Sequence, residues 1–253
     1  LAVTALQGLT RFEQRLARRW KQVNFSPITI CWNEHGTEQN MTDSHPFGDL
    51  VTSTEELREI VQPPSSLVRR KVISSIDPHV RRFLGLTPYV ILATCRPDGR
   101  CDSSPRGGAP GFIEILDDRH FLIREATGNR RCDTMLNLLE NPGFGMLAIV
   151  PGLDETLRIN GRAYVCKGGP QAEPQDKAGT APQLAIGFEV TECYLHCAKA
   201  AMRSTLWNPL SWVEEDDLPP IAEIFRDHTK GAEGDGSVEH IEALLQDSYT
   251  NRL

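Results

Sequence analysis

The chain has 253 residues, 40% of them hydrophobic and 24% charged, with a formal net charge of −7. That is a globular rather than a disordered composition, and the acidic balance leaves no basic excess to replace counterions on a nucleic acid. No run approaches the ~20 apolar residues of a membrane span, no charged-then-apolar leader ends in small residues, and seven irregularly spaced cysteines fit a reducing cytoplasm better than a disulfide framework.

Residues 1–50 read as a partly helical N-terminal appendage. Leu9, Phe12, Leu16, Trp20 and Val23 recur at helical spacing among Arg15, Arg18, Arg19 and Lys21. A basic amphipathic helix of this kind could touch a membrane or an acidic partner. An ordinary helix packed on the domain with a solvated basic face is the preferred reading. Cys31, His35 and His45 match no zinc spacing. Thr52-Ser53-Thr54 followed by two glutamates is a helix start, and Pro63-Pro64 ends that helix. A second helix follows Asp77-Pro78, with Val80, Phe83 and Leu84 on one face, and stops near Gly85.

Tyr89 to Cys95 is apolar and partly β-branched, hence a buried strand, and Pro97-Asp98-Gly99-Arg100 is a hairpin turn. Strands are expected at 101–105, 111–116 and 120–124, with Asp117-Asp118 turning the last two. A helix from Cys132 to Leu139 ends at Asn141-Pro142. Phe144–Val150 and Thr156–Cys166 form another hairpin, interrupted by Pro151-Gly152. Lys167 to Pro182, rich in Gly, Pro and charge, is an exposed loop. Ala185 to Tyr194 is the last strand, Leu195 to Leu206 turns helical, and Trp207-Asn208-Pro209 stops it. Beyond lie a helix from Pro220 to His228, a flexible linker over Gly231–Gly236, and a helix with Ile241, Leu244 and Leu245 on one face. Short strands at regular spacing with one inserted helix suggest a small β-barrel with helices outside, mainly β within an α+β class. Three regions follow: 1–50, a barrel domain over 51–210, and a helical extension over 211–253.

The stretch from Arg100 to Pro142 carries the chemistry. Ser103 and Ser104 sit on one expected strand with Arg106 and Gly107 just past its end, and Asn129 and Arg130 stand just before a helix. Hydroxyls, glycines and guanidinium groups near a helix start suit a phosphate dianion, because free N–H groups and the positive helix end point at it. Each charge-assisted bond is worth ~1.5–3 kcal/mol net. Flavin mononucleotide (FMN) is the expected ligand. Arg130 and Arg131, being adjacent, cannot both face one phosphate. Arg130 is favoured, and Arg131 is expected to pair with Asp133 or Glu140 or to face solvent. Arg158 and Arg162 alternate with small and apolar residues on their strand, where an outward charged face is an equal alternative.

Asp102-Ser103-Ser104-Pro105-Arg106-Gly107, Pro110-Gly111-Phe112, Gly128-Asn129-Arg130-Arg131-Cys132-Asp133-Thr134, Thr156-Leu157-Arg158-Ile159-Asn160-Gly161-Arg162-Ala163, His196-Cys197-Ala198-Lys199-Ala200 and Arg203-Ser204-Thr205-Leu206-Trp207 occur in this order. In that order the chain from Glu56 to Trp207 resembles the FMN-binding split-barrel proteins related to pyridoxamine 5′-phosphate oxidase, in a branch of FMN-dependent enzymes of unassigned substrate. The resemblance implies a homodimer with FMN in the cleft between two barrels. It places Arg106 at the phosphate-binding basic position, Asn129 and Arg130 in the phosphate-side loop, and Ser103 and Ser104 beside the flavin. His196, Lys199 and Arg203 fall where a partner subunit approaches the ring, and are the catalytic candidates. The branch usually has Ser-Pro-Lys-Gly-Asp where Ser104-Pro105-Arg106-Gly107-Gly108 stands. It also usually has Pro-Asp-Arg-Pro where Arg124-Glu125-Ala126-Thr127 stands, so here the cation has moved.

Cys193, His196 and Cys197 lack a fourth ligand nearby, so no metal is expected, and His196 alone is more often a structural histidine. Lys199 and Arg203 share a helix face at i, i+4, where like charges repel unless an anion lies over them. Such a cation near the flavin would raise its reduction potential. The expected activity is an FMN-dependent oxidoreductase acting on a small organic molecule, reoxidised by oxygen or reduced by a transient nicotinamide donor. No Gly-x-Gly-x-x-Gly element for a resident dinucleotide occurs. The alternatives are a non-catalytic FMN carrier or sensor, and a haem-binding split barrel with His196 on the iron.

Overall fold

The structure is a computed structural model and describes residues 46–126, 128–167, 184–229 and 236–251. The N-terminal amphipathic pattern, the Cys31, His35 and His45 set, and nearly all of the 167–182 loop and the 231–236 linker lie outside these residues.

The chain divides into two compact units, Leu1–Pro63 with Glu214–Asp217, and Pro64–Val213 with Leu218–Leu253. In the first, helix α1 (Thr54–Ile60) starts where the hydroxyl–acid pattern requires. Ser53 Oγ accepts from Glu56 N at 3.1 Å, and Glu56 Oε2 reaches back to Thr52 N at 2.9 Å.

The second unit opens with helix α2 (Ser66–Arg70) and helix α3 (Pro78–Leu86). In α3, Asp77 caps Val80 N at 2.8 Å, Pro78 takes a position where no N–H is needed, and Val80 and Leu84 are buried. Seven strands follow: β1 (Tyr89–Cys95), β2 (Cys101–Gly107), β3 (Ile113–Ile115), β4 (His120–Arg124), β5 (Gly143–Ile149), β6 (Thr156–Lys167) and β7 (Leu184–His196). Helix α4 (Asp133–Glu140) lies between β4 and β5 in sequence. Among the described residues the strands form one antiparallel sheet in the order β2-β1-β5-β6-β7-β4-β3. This sheet curls into a split barrel, and the chain is of mixed α+β class.

Alternation sets the buried face. Val90, Leu92 and Thr94 of β1, Phe121 and Ile123 of β4, and Leu157 and Ile159 of β6 all point to one buried face. At its centre Phe121 and Phe188 stack with centroids 4.6 Å apart, and Phe144 meets Phe188 edge-on at 4.9 Å. Helix α4 closes over this face through Met135 and Leu138, and its buried Asn137 donates to Thr94 Oγ1 at 3.0 Å.

Two expectations change. The last strand continues through Tyr194 and Leu195 to His196, because these residues pair with Arg158, Leu157 and Thr156 of the long β6. The following helix, α5, therefore covers only Lys199–Ser204. The strand expected at 111–116 shrinks to β3, since Gly111 takes a φ of 98° in a turn. Downstream, α6 (Ile221–Thr229) and α7 (Val238–Asn251) pack on one another. Ile241 is buried in α7, whereas Leu244 of the same expected face is exposed.

Candidate functional site

A cleft of about 590 Å³ is lined from Ser104 to Gly107 on β2, at Ile123 and Arg124 on β4, along the loop after β4, and by the first turn of α4. β2 is one edge of the sheet and β4 lies one strand from the other edge. The cleft is thus the seam where the curled sheet fails to close. Its volume lies within the ~300–1,000 Å³ usual for small-molecule sites.

The floor of the seam is a strand face. Asp102, Ser104 and Arg106 alternate with Cys101, Ser103, Pro105 and Gly107, and the first set is the half-buried one. The Ser104 hydroxyl donates to Asp102 at 2.9 Å, and the buried Thr134 hydroxyl of α4 donates to Asp102 Oδ2 at 2.7 Å. Asp102 therefore ties strand to helix, a role not read from the sequence. The strand period was the signal for it, since spacing by two also sets Ser103 on the opposite face. Ser103 is exposed opposite Ala93 and does not line the cleft.

The helix start is open. Cys132, the N-cap, has φ 57° and makes no side-chain cap bond, and the first intrahelical bond runs from Leu136 N to Cys132 O at 2.9 Å. The first-turn N–H groups before Leu136 are thus not spent on the helix. Arg130 has φ 61°, so two non-glycine residues flanking Arg131 sit in the left-handed region. Each costs on the order of 1–3 kcal/mol, and such residues cluster at functional sites. Asn129 shapes the turn by accepting from Arg131 N at 3.0 Å.

Four arginines approach the cleft with different charge states of their surroundings. Arg124 is forked onto Glu114 at 2.6 and 3.1 Å. Arg131 pairs with Asp133 at 2.7 Å, which pushes its pKa up. Arg106 faces Glu125 with Nε 3.3 Å from Oε2. Among the described residues Arg130 has no carboxylate within ion-pair distance. The spare cation and the open helix end are adjacent, as an anion site requires.

Within one chain the structure brings together Ser104, Arg106, Gly107, Asn129 and Arg130. His196, Lys199 and Arg203 are elsewhere: His196 ends β7 opposite Thr156, and Lys199 and Arg203 are exposed on α5. Cys193 is buried in the core, with its thiol pushed up to about 12 by burial and then by the charge of Asp77. His196 and Cys197 are exposed. Arg158 lies 5.9 Å from the Tyr194 ring and Arg162 bonds the Tyr164 hydroxyl at 2.9 Å, both away from the cleft.

The family model for pyridoxamine 5′-phosphate oxidase matches residues 76–197, a span that holds the whole sheet and the seam. That span, a little under half of the chain, is similar to the pyridoxamine 5′-phosphate oxidase family. No curated protein matches the chain. Solved structures that resemble it include HupZ from Group A Streptococcus, 17% identical over 46% of this chain and 91% of that one, with a TM-score of 0.36. General Stress Protein 26 from Bacillus anthracis is 14% identical over 46% and 93%, with a TM-score of 0.35. HutZ, the heme storage protein from Vibrio cholerae, is 16% identical over 48% and 93%, with a TM-score of 0.33.

Proposed function

We propose that the seam binds FMN, and that the protein is an FMN-dependent oxidoreductase acting on a small organic substrate, with the cofactor at the interface of a homodimer. One observation carries the reading. An arginine with no carboxylate partner among the described residues, a serine hydroxyl and a helix N-terminus without a side-chain cap meet in a single cleft of a domain similar to the pyridoxamine 5′-phosphate oxidase family.

The residues present suit a phosphorylated flavin. Arg130 and the first-turn N–H groups of α4 would hold the dianion, and Asn129 sets the turn that aims them. Ser104 adds a hydroxyl whose proton is now given to Asp102. Arg106 becomes a second phosphate cation when Glu125 releases it. Bound flavin would supply the hydride or electron exchange, and the protein supplies binding, orientation and charge. Lys199 and Arg203 could reach the ring of a flavin only from a second copy. Oxygen or a transient nicotinamide donor would complete the cycle.

Fluorescence titration tests the reading. Arg130→Ala should weaken FMN by roughly 10- to 150-fold, from ~1.5–3 kcal/mol, and leave riboflavin, which lacks the phosphate, almost unaffected. Equal losses for both ligands would remove Arg130 from the phosphate site. A Soret band instead of flavin absorption in the purified protein would select the haem alternative.

A further inference from the structure

The outward face of the β1–β2 hairpin holds a pair of cysteines that the cleft does not use. Cys95 ends β1 and Cys101 begins β2, and the two are directly opposed in the antiparallel register. Their position in the hydrogen-bond ladder decides what they can do. Arg96 N donates to Arg100 O at 2.9 Å, which makes Arg96 and Arg100 a hydrogen-bonded pair. Hydrogen-bonded and non-hydrogen-bonded pairs alternate along an antiparallel ladder, so Cys95 and Cys101 occupy a non-hydrogen-bonded site. There the Cα atoms lie about 4.5 Å apart and the side chains lean together, inside the roughly 4.4–6.8 Å range that a disulfide spans.

The thiols are also poised unequally. Cys101 is exposed and Cys95 is half-buried. Each sulfur sits at the turn, Cys95 Sγ giving its proton to Arg96 O at 3.3 Å and Cys101 Sγ to Gly99 O at 3.4 Å. The Cys95 thiol is pushed up by its hydrogen-bond contact with Cys101, then by burial and by the charges of Cys101 and Asp98. An exposed thiol beside a protected one is the arrangement of an attacking and a resolving cysteine.

We propose that Cys95 and Cys101 form a reversible cross-strand disulfide by exchange with a low-molecular-weight disulfide such as oxidised glutathione. The Cys101 thiolate attacks one sulfur of the small disulfide, breaking its S–S bond, and the departing thiolate takes up a proton. The Cys95 thiolate then attacks the Cys101 sulfur, expelling the second small thiol. Two protein thiols are oxidised, and one small disulfide is reduced to two thiols.

The bridge bears on the cleft through the strand it fixes. Among the described residues β2 is an edge strand paired with β1 alone, and Pro105, opposite Ile91, falls at a non-hydrogen-bonded site where its missing N–H costs the ladder nothing. Asp102, the residue after Cys101, is the acceptor shared by Ser104 and Thr134. A staple at the turn end of the hairpin therefore fixes the start of the strand that carries Ser104 and Arg106. None of this depends on which ligand fills the seam.

The test is a thiol map of the full chain equilibrated in reduced and oxidised glutathione, quenched by alkylation and digested with trypsin. As the buffer becomes oxidising, Cys95 and Cys101 should lose their alkyl label together. The tryptic peptides Phe83–Arg100 and Cys101–Arg106 should then appear as one linked species. In Cys95→Ser the resolving step is gone, so glutathione should stay on Cys101, while wild-type protein should carry it there only in trace. Wild-type Cys101 that accumulates glutathione as the variant does, or that links to Cys132 instead, would overturn the proposal. The wild-type map decides the matter even if the variant folds poorly.

Discussion

Glu125 changes what Arg106 can do. The two side chains are only 18% and 16% exposed, yet Nε of Arg106 and Oε2 of Glu125, 3.3 Å apart, are both buried without a hydrogen bond among the described residues. A pair that is desolvated but not aligned gains less than a well-bonded one, so an incoming dianion can displace it at modest cost. Glu125 stands at the acidic position of the Pro-Asp-Arg-Pro pattern usual in the branch this chain resembles, and Ala126 at the cationic one. The Glu125 carboxylate competes with phosphate for Arg106, so Glu125→Gln should tighten FMN by roughly tenfold, ~1.4 kcal/mol, with riboflavin unchanged. Weaker FMN binding in that variant would mean instead that Glu125 positions Arg106, and the competition argument would be abandoned. Adjacent arginines were separable in advance because Asp133 lay within reach of Arg131. The Arg106–Glu125 meeting was not, because it joins strands from opposite ends of the sheet order.

At the scale of elements, period-2 alternation governs both the site and its errors. Asp102, Ser104 and Arg106 form one face of β2, and that spacing was legible; treating Ser103 and Ser104 as a unit overlooked it. β1, β4, β5 and α4 were visible in the sequence because apolar alternation, Asp-Gly turns and Asn-Pro stops are local signals. The end of β7 was not, since Tyr194 to His196 are held in strand by pairing with β6, a tertiary cause. β6 and β7 also shift register between Asn160 and Gly161, and a Cβ at Gly161 would run into the Glu189 carbonyl oxygen. Gly161→Ala should therefore lower stability by about 1–3 kcal/mol, read from denaturant midpoints; an unchanged midpoint would show that the bulge yields freely. The β3–β4 turn carries a pH signature. Asp117 accepts from Arg119 N at 2.7 Å and from His120 N and Nδ1 at 2.9 Å, and the Arg119 bond first, then that to the His120 ring, lowers its pKa. A depressed carboxyl contributes its stabilisation above the unfolded value, roughly 4, and loses it as pH falls through the lower folded value. Amide protection at Arg119 and His120 should fall over that acid window. In Asp117→Asn, protection should be lower at neutral pH and lack the acid step; an identical step in both proteins would assign it to another group.

The whole molecule poses the question of the missing half of the site. Curling brings β2 and β4 to the two sides of one seam, so a single chain supplies the proposed phosphate cradle, but it leaves His196, Lys199 and Arg203 outside the cleft. If FMN lies between two copies, binding and dimerisation are linked, and the apparent affinity must depend on protein concentration. FMN titrated at concentrations below and above the dimer midpoint should bind more tightly in the second case, and sedimentation should show the flavin shifting the chain toward dimer. Identical affinity in both regimes would place the whole cofactor in one chain and remove the partner's residues from the proposal. Potentiometry then separates holding from tuning. Lys199→Met and Arg203→Met each delete a cation that lies outside the phosphate cradle. Either change should lower the flavin reduction potential, because less positive charge would stabilise the anionic reduced ring, while FMN affinity changes less than in Arg130→Ala. A potential unmoved in both variants, with dimerisation intact, would leave α5 as surface and return the tuning of the ring to residues of the seam itself.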